Sequence, residues 1–96
     1  MNDKMEENVV HEEENERFVI YTEDNEAYVE YRMNDNKLNL YHTFTHPALR
    51  GKGLAAQVVR AALDFAKENN LQVIPTCSYV HSFILKNDEY KDLVAD

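Results

Sequence analysis

Hydrophobic and polar positions alternate along the first half of the chain in the manner of β-strands. Three such runs, rich in β-branched and aromatic residues and separated by polar turn residues, cover residues 18–21, 27–33 and 37–45. These runs predict an antiparallel meander. In the third strand, strict alternation places four side chains on one face: Leu38, Leu40, His42 and Phe44.

The second half of the chain changes to helical periodicity. From Gly53 to Asn69, polar side chains recur at intervals of three or four residues, and apolar residues fill the remaining arc. An arc this wide predicts a helix that packs on a sheet over most of its circumference. A short apolar run at residues 71–74 predicts a fourth strand, and residues 78–86 predict a second helix. The predicted fold class is therefore mixed α/β, and more narrowly α+β, because an antiparallel β-meander is followed by α-β-α.

Acidic side chains are concentrated at the N-terminus. Residues 1–16 hold seven acidic side chains and one lysine, and so carry most of the net charge of −8. Because like charges at this density repel one another, we expect residues 1–14 to form an acidic, mobile arm, in which Val9 and Val10 could begin a short edge strand. Residues 15–96 then form one small domain. The chain has no basic stripe, which disfavours nucleic-acid binding.

Composition also limits the environment of the protein. No stretch approaches the ~20 consecutive apolar residues of a membrane span, and the N-terminus lacks a basic segment followed by an apolar one. We therefore expect a cytoplasmic protein without a membrane partner, as a monomer or a weak homodimer. Cys77 is the only cysteine, so the chain forms no internal disulfide and its thiol is free.

Both glycines of the chain lie in the loop before the long helix. This loop consists of Arg50, Gly51, Lys52, Gly53, Leu54 and Ala55. Glycine lets the backbone approach a ligand closely, and the first N–H groups of a helix lack partners and carry partial positive charge. Such a loop can bind a pyrophosphate, with Arg50 and Lys52 adding charge. The alternative is a surface turn that needs glycine only in order to bend.

The loop resembles the cofactor loop of the GCN5-related N-acetyltransferases, in which Gln or Arg, two residues, Gly, one residue, and Gly or Ala precede a long helix. Arg50, Gly53 and Ala55 match that pattern. The resemblance extends over about residues 17–94 and is strongest with a small single-domain subgroup similar to bacterial YjdJ. It implies a shortened form of the family fold, because the two helices that usually follow the first strand are absent.

The resemblance implies acetyl-coenzyme A as the cosubstrate and transfer of its acetyl group to a small amine or an exposed amino group of a protein. The pyrophosphate would bind the loop at residues 50–55. The pantetheine would pair with the preceding strand, along Tyr41, His42, Thr43, Phe44 and Thr45. The alternative is a non-catalytic acyl-coenzyme A-binding module, which the missing helices favour.

Three residues are candidates for catalysis: Cys77, His42 and Tyr90. His42 lies on the strand that would run beside the pantetheine, and an imidazole titrates near neutral pH, although a packed core histidine is the alternative. Cys77 follows the fourth strand, where the resemblance implies that the thioester ends. It could donate a proton or accept the acetyl group. Many family members keep a tyrosine proton donor on the following helix, but an ungapped alignment places Leu85 there, and Tyr90 is another possible donor.

A zinc site is the remaining alternative. His42 and His46 are four residues apart, as are Cys77 and His81, so together they could supply a Cys-His₃ set. Neither pair has the tight spacing of a zinc knuckle, and Pro47 follows His46 where the strand should end. We therefore expect no metal.

Overall fold

The computed structural model describes residues 8–95 and contains one five-stranded sheet in the order β1-β2-β3-β4-β5. The elements in chain order are β1 (Val10–Glu12), a 3-10 turn (Glu13–Asn15), β2 (Arg17–Tyr21), β3 (Glu26–Asn34), β4 (Lys37–Thr45), a 3-10 turn (Pro47–Leu49), α1 (Leu54–Glu68), β5 (Gln72–Ile74), α2 (Ser78–Lys86) and a last 3-10 segment (Asp88–Leu93). Strands β1 to β4 are antiparallel, and β5 runs parallel to β4. The predicted α+β fold, a meander followed by α-β-α, is confirmed.

Strand β1 lies inside the segment that we assigned to the acidic arm. It pairs with β2, and the His11 ring stacks on Phe18 with 4.1 Å between the ring centroids. His11 Nε2 also lies 2.6 Å from the hydroxyl oxygen of Tyr31, and burial lowers the pKa of His11. Apolar and hydrogen-bonding contacts thus outweigh charge repulsion here, and the short edge strand that Val9 and Val10 indicated begins at Val10. Residues 1–7 of the expected arm lie outside the described residues.

The hydrophobic core lies between one face of the sheet and α1. Helix α1 contributes five buried side chains: Val58, Val59, Ala62, Leu63 and Ala66. They face buried residues of the sheet such as Val29 and Leu40, each of which is fully buried. Burying a Val or Leu side chain contributes roughly 1.5–3 kcal/mol, so this layer fixes the position of α1 on the sheet. Within residues 8–95, neither helix has the length and apolarity that crossing a membrane requires.

A β-bulge at Tyr41 interrupts the alternation of β4. Glu30 of β3 pairs with His42, but the next residue of β3, Tyr31, pairs with Leu40. Tyr41 is therefore an extra residue without a partner on β3. Because side chains alternate with a period of two, one extra residue moves all later side chains of the strand to the opposite face.

The residues after the bulge show this change of face. Thr43 pairs with the buried Val29, so Thr43 lies on the core side of the sheet, and Thr45 follows on the same side. His42 and Phe44 lie on the other face. The prediction that His42 and Phe44 share a face with the leucines of β4 is therefore wrong.

Candidate functional site

A groove with a volume of about 470 Å³ opens between the second half of β4 and the start of α1. It is lined by Thr43, Thr45, Leu49, Arg50, Gly51, Gly53, Leu54, Ala55, Ala56 and Tyr79. Five residues of the predicted cofactor loop are thus at the groove. Lys52 is exposed and is not part of the lining.

The loop owes its shape to its two glycines. Gly51 and Gly53 have φ angles of 84° and 76°, which lie in the left-handed region that other residues adopt only with strain. A Cβ atom at either position would meet nothing within 4 Å. The glycines therefore serve the backbone conformation rather than packing, and the space above them is open.

The same conformation exposes backbone donors at the start of α1. Gly53 is the N-cap residue of α1, without a side-chain cap, and the first turn holds no acidic residue. Within residues 8–95, the N–H groups of residues 51–56 make no hydrogen bond. Free N–H groups at the positive end of a helix dipole are suited to an anion, and Arg50 adds a cation to the groove wall.

The edge of β4 supplies the second half of the groove. Strand β5 pairs with β4 only as far as Asn39, and the Cys77 N–H then donates to the Leu40 carbonyl at 3.0 Å. Beyond Leu40 the two parallel strands separate. Residues 41–45 therefore present a strand edge that pairs with no other strand among the described residues. Such an edge can pair with an extended ligand that carries amide groups.

Cys77 lies where the two strands separate, immediately before α2. Its Sγ atom lies 3.5 Å from the hydroxyl oxygen of Thr43, which lines the groove. Burial opposes ionisation of the thiol, but the Thr43 hydroxyl and the backbone N–H groups of Tyr79, Val80 and Thr43 more than offset it and lower the pKa of Cys77. Cys77 thus lies beside the groove, and its part in catalysis stays a prediction.

Tyr79 is a groove residue that the sequence analysis missed. It lies in the first turn of α2, and burial raises the pKa of its hydroxyl, so the hydroxyl stays protonated at neutral pH. Its position two residues after Cys77 was the available signal. Leu85, where the family pattern keeps a tyrosine, is 59% exposed and does not line the groove.

The histidines do not gather at the groove. His42 is exposed on the far face of the sheet, and His46 Nδ1 accepts a hydrogen bond from the Ala48 N–H at 3.1 Å. Within residues 8–95, no group of three or more His, Cys, Asp or Glu side chains is arranged to hold a metal ion. Tyr41 and Phe44 also contribute no side chain to the groove lining.

Tyr90 is a buried structural residue rather than a groove residue. Its side chain is 1% exposed, its hydroxyl donates to Asp64 Oδ1 at 2.7 Å, and it accepts from Arg60 Nη1 at 3.2 Å. Burial, together with the hydrogen bond to Asp64, raises the pKa of Tyr90 well above its usual range. These contacts tie the last 3-10 segment to α1.

Tyr90→Phe is therefore expected to lower the free energy of unfolding by about 2–3 kcal/mol, because it removes two hydrogen bonds to charged side chains. It should not change any activity at the groove. Urea unfolding and a turnover assay on the same preparation check both parts. Lost turnover at unchanged stability would make Tyr90 a catalytic residue instead.

Comparison with known proteins agrees with the fold. A sequence model of the GCN5-related N-acetyltransferase family matches residues 17–93. The solution structure of a GCN5-like protein from Staphylococcus aureus superposes with a TM-score of 0.68 at 28% identity, covering 97% of this chain and 91% of that one. Protein NATD1 of Bos taurus is 40% identical over 50 residues, and that of Homo sapiens 38%. The match spans 52% of this chain but only 44% of either relative. The chain belongs to the GCN5-related N-acetyltransferase family.

Proposed function

We propose that this protein binds acetyl-coenzyme A in the groove and transfers the acetyl group to an amine. The observation that carries the proposal is the combination of free N–H groups at residues 51–56 with the unpaired strand edge at residues 41–45. The family uses acetyl-coenzyme A as its cosubstrate, which supplies an activated acetyl thioester. The two halves of the groove match two parts of that molecule, the pyrophosphate and the pantetheine arm.

Each half of the groove suits one chemical part of the cosubstrate. The N–H groups of residues 51–56 and the Arg50 guanidinium would hold the pyrophosphate. The backbone edge of residues 41–45 would pair with the amides of the pantetheine arm. This alignment directs the arm toward the point where β4 and β5 separate, and therefore toward Cys77. The loop and the strand edge would thus bind and orient the cosubstrate together.

Acetyl transfer also requires proton transfers that side chains near the groove can support. A lysine-like amine of pKa ~10.4 must lose a proton, which costs ~4.6 kcal/mol at neutral pH. Cys77 Sγ, with its lowered pKa, is available to accept a proton or the acetyl group. Tyr79 keeps its hydroxyl proton and is available as a donor to the departing sulfur. We do not assign His42 to this role, because it lies on the far face of the sheet.

A non-catalytic acyl-coenzyme A-binding module is the second candidate. The observation in its favour is the short connection of β1 to β2, which holds only the 3-10 turn Glu13–Asn15, whereas the family pattern has two helices after the first strand that help to form the acceptor site. Binding without turnover is its distinguishing property. Measuring binding and acetyl transfer on one preparation therefore separates the two functions.

Titration with acetyl-coenzyme A is expected to give saturable binding. Amide chemical shifts should change mainly at residues 41–45 and 50–56, because these carry the strand edge and the free N–H groups. Residues 17–21 of β2 serve as an internal control, since they lie away from the groove. Absence of saturable binding at millimolar acetyl-coenzyme A would remove both candidate functions.

A further inference from the structure

The segment after β5 is attached to β4 by successive contacts. Thr76 Oγ1 donates to Asn39 Oδ1 at 2.7 Å, and the Cys77 N–H donates to the Leu40 carbonyl at 3.0 Å. These two contacts hold the segment beside β4 as far as Leu40. The contact between Thr43 Oγ1 and Cys77 Sγ, at 3.5 Å, is different because it lies beyond Leu40, where the two strands have separated.

The bulge at Tyr41 accounts for this contact. In a regular strand, residues three apart point to opposite faces, so Thr43 would point away from the side on which Leu40 lies. The extra residue returns Thr43 to the face of Leu40. Leu40 in turn fixes the backbone of Cys77 through its carbonyl. One short stretch of β4 thus positions both the sulfur atom and the hydroxyl beside it.

We propose that Thr43 is a positioning residue, whose hydroxyl holds the Cys77 sulfur at the end of the groove and donates a hydrogen bond to its thiolate. This inference rests on the proposed function, since it concerns how the groove prepares its thiol. A hydroxyl suits both states of the sulfur, because it accepts a hydrogen bond from the thiol and donates one to the thiolate. Thr43 therefore favours the reactive form without transferring a proton itself.

The backbone N–H groups of Tyr79, Val80 and Thr43 also stabilise the thiolate, and the Thr43 hydroxyl adds a side-chain hydrogen bond to theirs. Burial opposes ionisation, so the thiolate depends on hydrogen bonds for its stability. The titratable side chains on the adjoining strand and helix are Lys37, Tyr41 and His42 on β4 and Tyr79, His81 and Lys86 on α2. His42 lies on the far face of the sheet, His81 is exposed, and Tyr79 is a neutral phenol whose pKa burial raises further.

The test measures the alkylation rate of the thiol by iodoacetamide across a range of pH, in the absence of acetyl-coenzyme A. Cys77 is the only cysteine, so intact-protein mass spectrometry reports this one site. Thr43→Val has nearly the same shape as Thr43 and lacks the hydroxyl. It is expected to move the midpoint of the profile to higher pH and to slow alkylation at neutral pH about fivefold, the effect of one hydrogen bond of about 1 kcal/mol.

Thr43→Ser is the matched control, because it keeps the hydroxyl and should retain the wild-type midpoint. The limiting rate at high pH separates a change in access from a change in ionisation, since the thiol is fully ionised there. A Thr43→Val profile that superposes on wild type, or a Thr43→Ser profile that follows Thr43→Val, would overturn the proposal. Failure of acetyl-coenzyme A to bind would refute the proposed function while leaving this thiol measurement unaffected.

Discussion

Gly53→Val is expected to lower the affinity for acetyl-coenzyme A by about a hundredfold or more. A β-branched residue is strained at the φ of 76° that Gly53 adopts, so the loop would relax and turn its N–H groups away from the groove. Losing two charge-assisted hydrogen bonds to the pyrophosphate costs about 3 kcal/mol or more, which corresponds to that loss of affinity. Isothermal titration calorimetry measures the change directly.

The matched control for Gly53→Val is Asn70→Val. Asn70 follows the C-terminal end of α1 and also has a positive φ, 56°, but it does not line the groove. Both variants should lose about 1–3 kcal/mol of stability from backbone strain, while only Gly53→Val should lose affinity. If both variants bind acetyl-coenzyme A like wild type, the pyrophosphate does not lie on this loop. If both lose affinity equally, the effect comes from stability and not from the groove.

Local signals in the sequence were sufficient for most of the fold. Three patterns each indicated one kind of element: the alternation at residues 27–33 a strand, the polar residues after it a turn, and the apolar arc of α1 a helix. The elements lie where these patterns indicated. The loop at residues 50–55 was predictable for the same reason, because glycine before a helix is a local pattern with a clear physical meaning. These features depend on near neighbours in the chain.

Features that depend on pairing between strands were not predictable in the same way. The bulge at Tyr41 leaves no local signal, because only the partner strand reveals that β4 contains one residue too many. It nevertheless decides that Thr43 faces the groove and that His42 does not. Strand β1 was only partly predictable for a related reason: Val9 and Val10 indicated a possible edge strand, but the contact of His11 with Phe18 that supports it depends on the pairing with β2.

Cys77→Ala is expected to keep the affinity for acetyl-coenzyme A while its turnover falls 10²–10⁴-fold, the usual contribution of a general acid or base. The thiol lies beside the groove without being part of its lining, so its removal leaves the loop and the strand edge unchanged. A loss of this size corresponds to about 3–5 kcal/mol of activation free energy. Acetyl transfer and thioester hydrolysis are both measured, together with affinity by calorimetry.

Mass spectrometry of the intact protein after incubation with acetyl-coenzyme A separates the two roles that Cys77 could have. A stoichiometric acetyl adduct on wild type that is absent from Cys77→Ala would indicate a covalent intermediate, in which the sulfur accepts the acetyl group and coenzyme A leaves as its thiol. Lost turnover without an adduct would indicate proton transfer by Cys77. Full activity in Cys77→Ala would contradict both roles. Tyr79→Phe would then test whether the Tyr79 hydroxyl is the proton donor. Affinity and turnover depend on different residues of this site, so the two can be lost separately. If wild type binds acetyl-coenzyme A but acetylates no amine, the protein is a binding module, because binding without turnover is the property that distinguishes that function.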